Sequence, residues 1–510
     1  MSEDEQKGAD APAGQRTARL ASATGWIFAG RLVVRSFALL STVILARLLT
    51  PEDFGIVAIA TAFVFIAEAV SGFQFNAALI ARREVKDSDW DAAFTLNLLR
   101  GLTLSALTVL AAPLLAGVLE RPDATLAIAA TGLFPLITSV RSPRFIEFEK
   151  RLSMRQYFMS ELATNLGRFV ASVGVALVYP TYWALIVGLI AGVLLQVTVT
   201  HLYAPYRPRL TFKGARSLLS FSLWITGTYA LNTIGIQSSR FILLTRLDVG
   251  TVGVFKLGQD IATMLTADLI HPISRSLFPA FAEIANDRAR LREAYLMAQT
   301  GTLLIGLPMS FGLALVAEPL VLLLLGEAFR EATLVVEYVA FASAFQVMET
   351  GVVAILMAMQ RPRAVFLLQV FVFCTRIPMM IAGVWLGGLE GLLAAYFASV
   401  ILSALVSIGY VQRLLGIRPG EMLWRARLCL GAAITMAGAL LALQGAGTGA
   451  LPYAVELLLL VGTGALVYAA ALLAYWRLAG APDGAERRIA GIAKARLGRV
   501  GARLGRAAGI

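Results

Sequence analysis

The feature that most constrains this chain is a succession of apolar blocks, each roughly 18 to 28 residues long, separated by short polar stretches. A block of that length crosses about 30 Å of hydrocarbon as an α-helix. In lipid every backbone N–H and C=O must find its partner within the protein, and a helix achieves this inside one segment. The shorter, alternating segments of a transmembrane barrel are absent from the sequence. Composition agrees: 58% of the residues are hydrophobic and 15% are charged, against about 25% charged in soluble chains, and the mean hydropathy is +0.75.

The blocks predict spans at 22–46, 54–80, 92–118, 124–141, 157–178, 182–202, 217–245, 251–272, 296–325, 332–359, 364–386, 389–411, 428–444 and 452–476. The expected fold class is an all-α integral membrane protein with about 14 transmembrane helices. Its loops are too short to hold a separate soluble domain. The first twenty residues are polar and small, and no cleavage site follows an early apolar stretch. The expectation is therefore a retained N-terminal tail over residues 1–21.

The net charge of +12 would suggest nucleic acid on a soluble protein, but its placement excludes that reading. With the N-terminus inside, 33 of the 44 Lys and Arg residues fall on inner segments, and only Arg47, Arg121, Arg240, Arg246 and Arg330 count with outer ones. That asymmetry puts both termini of a multi-pass membrane protein in the cytoplasm, and it requires an even number of spans. The basic charge is topological.

A weak internal repeat divides the chain. Trp26 leads to Arg47-Leu48 and Gly55, and Trp224 leads to Arg246-Leu247 and Gly253; both Trp-to-Gly intervals are 29 residues. Six spans separate the copies, so they share one orientation, as in parallel transporter repeats. The expected organisation is an N-lobe over 22–216, a C-lobe over 217–427, two added helices over 428–476, and a basic tail over 477–510. In that tail Ile489, Ile492, Leu497, Val500 and Leu504 cluster on one side of a helical wheel, opposite most of the Arg and Lys residues. An amphipathic helix lying on an anionic leaflet and a disordered basic tail both fit.

Ionisable groups at mid-bilayer are costly and usually face a partner or a watery cavity. The first six spans hold Arg31, Arg35, Glu68, Arg100, Glu161 and Arg168. Arg31 and Arg35 are four apart and share a helix face. Four arginines against two glutamates leave a surplus of cationic donors, and the planar guanidinium fork suits phosphate oxygens. Arg31, Arg35, Arg100 and Arg168 are thus candidate ligands for a phosphate-bearing substrate. Snorkelling of Arg100 and Arg168 to the interface, or pairing with Glu68 and Glu161, also fits.

The later spans are more balanced. Lys256 and Asp260 are four apart on one helix, Asp268 and His271 precede Pro272, and Glu337, Glu349 and Arg376 lie in or near spans ten and eleven. Glu68, Lys256, Asp260, Asp268, Glu349 and Arg376 fit either ion coupling or internal pairing. Pro308 and Pro378 remove backbone donors and are hinge candidates.

No Gly-rich phosphate loop ending in Lys-Ser/Thr occurs, so ATP hydrolysis is not expected, and two histidines exclude a histidine-rich metal site. Asp87-Ser88-Asp89 has the acidic-x-acidic pattern of metal-dependent glycosyl transfer, but it precedes span three, where such residues cap helices. Cys374 and Cys429 read as small apolar residues of the spans. No enzymatic activity, cofactor or metal is expected.

Three stretches carry a family resemblance. Ile44-Leu45-Ala46-Arg47-Leu48-Leu49-Thr50-Pro51-Glu52-Asp53-Phe54-Gly55 resembles the first-hairpin signature of bacterial Wzx-type polysaccharide flippases, in particular their colanic-acid and succinoglycan exporter-like branch. Pro272-Ile273-Ser274-Arg275-Ser276-Leu277-Phe278-Pro279-Ala280-Phe281 resembles the motif after span eight, and Pro319-Leu320-Val321 leading to Leu325-Gly326 resembles the one after span nine. The similarity runs over roughly residues 20 to 420. Two positions depart from it: Ser239 stands where members often carry Asp, and Phe255 where they often carry Tyr.

The resemblance implies two six-helix lobes around a central cavity that opens alternately to each side, plus two C-terminal helices. It implies as cargo an undecaprenyl-pyrophosphate-linked oligosaccharide, flipped from the inner to the outer leaflet of the cell inner membrane for exopolysaccharide or lipopolysaccharide synthesis. The implied partners are the lipid bilayer and the polysaccharide polymerase and chain-length machinery, with no nucleic acid. A cation-coupled multidrug exporter of the same superfamily would favour acidic cavity residues instead. A membrane glycan polymerase or ligase would need a larger outer loop than any predicted here.

Overall fold

The computed structural model describes residues 34–72, 79, 85–150, 154–212, 223–266, 277–447, 449 and 451–480. The chain divides into two compact units, Met1–Thr226 and Gly227–Ile510. Every predicted span is helical over most of its described residues, and no strand occurs among them. Nine helices among the described residues are long and apolar enough to cross a membrane, and one of these is a merged pair. The protein is a multi-pass membrane protein.

In the first unit α1 occupies residues 34–48, α2 Pro51–Ser71 and α3 Asp87–Val118. Two short helices, α4 (Thr125–Thr131) and α5 (Leu133–Ser139), replace the single fourth span read from the sequence. Pro135 lacks the N–H that would bond the Thr131 carbonyl, which accounts for the break. After α6 (Ile146–Lys150) come α7 (Met154–Val178) and α8 (Tyr182–Tyr203). The α7–α8 crossing is close because its contact residues are small. A Cβ on Gly188 would lie 1.8 Å from the Ser172 hydroxyl, and one on Gly192 would lie 2.8 Å from the Thr164 carbonyl.

The boundary between units falls inside α9 (Leu223–Leu243), which is followed by α10 (Val249–Leu265) and a short α11 at 277–283. Span nine is α12 (Arg288–Leu315), with a separate short helix α13 (Ala317–Leu324) after it. Span ten is also broken. Its first part is α14 (Ala332–Glu349) and its second α15 (Val352–Ala358), joined through Gly351 at φ +95°. Spans eleven and twelve run as α16 (Pro362–Leu415), folded back at Gly387 and Gly388. The chain continues through α17 (Glu421–Arg425), α18 (Arg427–Gly445) and α19 (Tyr453–Leu478).

Large apolar side chains stand outward: Leu110 is 76% exposed, Leu386 90% and Leu466 74%. Side chains so placed match hydrocarbon rather than water as the surrounding solvent.

Loop contacts follow the predicted alternation of sides within each unit. In the first, Arg121 reaches Glu52 at 2.8 Å and the Tyr182 N–H donates to Asp53 at 2.8 Å, joining three loops of one side. On the other side Arg144 pairs with Asp87 at 2.7 Å, and Ser142 donates to the Ala204 carbonyl at 2.7 Å. In the second unit Arg330 joins Glu318 and Glu327, each at 3.0 Å. Arg292–Glu421 and Arg425–Glu293, at 2.5 and 2.6 Å, close the opposite end.

The repeat is visible in helix starts. Thr50 begins α2 with extended backbone (φ −86°, ψ 160°), and Asp248, 198 residues on, begins α10 likewise (φ −76°, ψ 169°). In the first copy Asp53 bonds back to Thr50; in the second Thr251 bonds back to Asp248 at 2.5 Å. The two residue types are exchanged, and only the first copy makes a capping box; at Asp248 no side chain meets a helix N–H. Arg47 and Arg246 are 199 apart, one residue out of step with the caps. Trp26 lies outside the described residues.

Candidate functional site

Among the described residues the loops are short and several are tied by ion pairs, so the candidate chemistry lies among charges carried inside the spans. In the first unit Glu68 projects from α2 and Arg100 from α3. Their charges interact, yet no ion pair joins them among the described residues. Gly72 makes room for Arg100, whose Nη1 would be 3.3 Å from a Cβ there. The Arg100 Nε is buried without a hydrogen-bond partner. Such a group is costly in an apolar setting unless a further ligand or water meets it.

Arg35 on α1 and Arg168 on α7 are both exposed. The helices that carry them touch at this level, Phe37 lying against Phe169 with ring centroids 5.9 Å apart. Arg168 sits where α8 comes closest, its Cβ 3.3 Å from the position a Gly192 Cβ would take. Glu161 is half-buried on α7, about two turns before Arg168. Arg31 lies outside the described residues.

In the second unit Lys256 donates to Asp260 across one turn of α10. Sequence reading missed the third member of this group. By sequence Arg240 counts with the outer segments, but it lies on α9 and is 4% exposed, with the charge of Asp260 acting on it. A membrane-embedded cation near a span end looks like an interface anchor in sequence, and only the packing of α9 separates the two. Asp268 and His271 lie outside the described residues.

Glu349 and Arg376 belong to a second group. Glu349 is the last residue of α14, directly before the break at Thr350–Gly351. Ser403 donates to its carboxylate at 2.6 Å, and Ser407, one turn further on, also faces it. Arg376 acts on Glu349 at longer range, stands 5.4 Å over the Tyr396 ring, and has a buried Nε without a partner. Gln346 donates to the Tyr396 hydroxyl at 3.0 Å. Nearby, Gln299 donates to Tyr295 and to the Met348 carbonyl, both at 2.9 Å, which caps the broken end of α14. The serines, the glutamines and Tyr396 are ordinary in sequence, and only folding α16 back at Gly387–Gly388 collects them.

The remaining charged motifs are structural. Asp87 is taken by Arg144, and the Asp89 carboxylate accepts from the Lys86 N–H at 3.1 Å, so the acidic-x-acidic stretch is a helix start. Asp123 is held below the usual carboxylate range, chiefly by hydrogen bonding from Arg121. Tyr206 is driven well above the usual phenol range, first by burial and then by its bond to Asp91. Both residues fasten loops.

Paired helices in two units, with charges held inside the spans, define a multi-pass α-helical membrane-protein fold. The same fold is seen in the solved structure of the lipid II flippase MurJ in an inward closed conformation. The TM-score is 0.74 at 13% identity, covering 88% of this chain and 98% of that one. Residues 44–335 match the family described as "Polysaccharide biosynthesis protein", and the chain belongs to it. Among its relatives, the lipopolysaccharide biosynthesis protein WzxC of Escherichia coli (strain K12) is 25% identical over 395 residues, which is 76% of this chain and 79% of that protein. The succinoglycan biosynthesis transport protein ExoT of Rhizobium meliloti (strain 1021) is 26% identical over 312 residues, 60% of this chain and 63% of that protein.

Proposed function

We propose that this chain is a flippase that moves an undecaprenyl-pyrophosphate-linked oligosaccharide from the inner to the outer leaflet of the cell inner membrane. It supplies exopolysaccharide or lipopolysaccharide synthesis through an alternating-access cycle, with both termini in the cytoplasm. It is a transporter, not an enzyme. Membership of the polysaccharide biosynthesis family supports the glycan, and the names of WzxC and ExoT point the same way.

The observation that carries the headgroup is the cationic surplus in the first unit. Arg31, Arg35, Arg100 and Arg168 stand in its predicted spans against Glu68 and Glu161. A pyrophosphate needs donors that stay charged at low dielectric, and guanidinium is the side chain that does so. Acidic residues would dominate if the cargo were a cation. The sugar travels in water between the spans while the polyprenyl chain stays in lipid.

The positive-inside bias supports the orientation, with Arg240 removed from the outer set. Changing Arg31 and Arg35 together to Ala should stop polymer export and leave lipid-linked oligosaccharide on the inner leaflet, with protein still in the membrane. Unchanged export by that double variant would overturn the headgroup assignment.

A further inference from the structure

Span nine carries two prolines eleven residues apart, Pro308 within α12 and Pro319 just after it. Each lacks the N–H that would bond the carbonyl four residues earlier. The two carbonyls left without a helical donor are therefore those of Leu304 and Leu315. Both are met from the last two helices. The Tyr468 hydroxyl on α19 donates to the Leu304 carbonyl at 2.7 Å. The Gln444 side chain on α18 donates to the Leu315 carbonyl at 2.6 Å.

Apolar packing brackets these bonds. Leu303, Leu304 and Leu307 pack with Cys429, Ala433 and Tyr468, and further along Val316 packs with Met436, Leu440 and Leu460. Inside the membrane no water competes for a vacated carbonyl, so a donor from a neighbouring helix decides whether the proline position is held in place.

We propose that α18 and α19 form a latch on span nine, with Tyr468 and Gln444 as positioning residues that hold it at Pro308 and at its exit at Pro319. The role of the latch in transport rests on the flippase reading; its existence does not. The added C-terminal pair then acts through span nine, which itself packs against α14 of the Glu349 group.

The test is a double-mutant cycle on Tyr468→Phe and Pro308→Ala in the full-length chain, read by thermal unfolding in detergent and by polymer export in cells. Tyr468→Phe keeps the ring and removes only the donor. Alanine at 308 restores the helical N–H to Leu304, so the hydroxyl becomes redundant. The expected result is a lower unfolding midpoint and export down about fivefold for Tyr468→Phe, with both losses absent when Pro308→Ala is already present. Equal losses in the two backgrounds, or none in the wild type, would overturn the latch. Coupled midpoints with export unchanged throughout would overturn its role in transport. If the wild-type chain exports no glycan, the flippase reading fails while the midpoints still decide whether the latch exists.

Discussion

Asp53 and Tyr182 are bound side chain to backbone across 129 residues: one carboxylate oxygen of Asp53 accepts from the first N–H of α8 at 2.8 Å. The other oxygen accepts from the Thr50 N–H at 2.9 Å and from its hydroxyl at 2.8 Å. A single side chain thus caps its own helix α2 and supplies an orphan donor of α8. The stretch Thr50-Pro51-Glu52-Asp53, which carries the family resemblance, is a structural fastening of the first unit. Glu52 adds its bond to Arg121 at 2.8 Å.

Asp53→Ala should therefore destabilise the protein although it lies away from every span charge. The loss combines a capping box with an unmet N–H at Tyr182, and about 1–3 kcal/mol is expected. Thermal unfolding of purified protein in detergent would show it as a lowered midpoint. Asp53→Asn, with a single acceptor oxygen, should fall between the two. A midpoint unchanged in the alanine variant would show that the bridge carries no stability.

Glu349 and Arg376 offer a second test, because stability and transport separate there. Either single neutralisation, Glu349→Gln or Arg376→Gln, leaves a charge inside the membrane without its counterpart. A loss of about 1–3 kcal/mol is expected from each, with lower export. In the double variant the charges vanish together, and the unfolding midpoint should return most of the way to wild type. Export should not return if Glu349 takes part in ion coupling. Recovery of both properties would reduce the group to a structural ion pair.

Much of the fold is legible in the sequence because the solvent is lipid. Block length, the positive-inside asymmetry and the Gly55–Gly253 interval need no tertiary knowledge. The breaks are harder. Pro135 signals the split of span four, but Gly351 in span ten and Gly387–Gly388 are three among 45 glycines, and only their backbone angles set them apart. Site charges are legible as residues but not as groups. Glu68 and Arg100 are obvious singly, yet Gly72 between them is not. Arg240 reads as a loop residue because only five residues separate it from Arg246, a true loop residue that stacks on Trp385 at 3.9 Å. Tyr468 and Leu304 are 164 residues apart, and no local pattern joins them.

The fold-back of α16 makes a prediction in which one substitution should have opposite signs at two places on one helix. Gly383 and Gly391 meet across the turn with no side chain between them. A Cβ on Gly391 would lie 2.0 Å from the Gly383 carbonyl oxygen, and one on Gly383 would lie 2.3 Å from that of Gly391. The obstacle is backbone on both sides, so neither can yield by a rotamer change. Gly391→Ala should force the two halves apart at a cost of about 3 kcal/mol or more. Gly409 lies on the same helix with open space around its Cβ position. There alanine only removes the excess freedom of glycine, and Gly409→Ala should stabilise by about 0.5–1 kcal/mol. Unfolding midpoints of the two variants should move in opposite directions. The crossing also sets how Arg376 on the first half meets Tyr396 on the second, so Gly391→Ala should depress export while Gly409→Ala leaves it intact. Midpoints that moved together would mean the halves of α16 do not cross through these glycines.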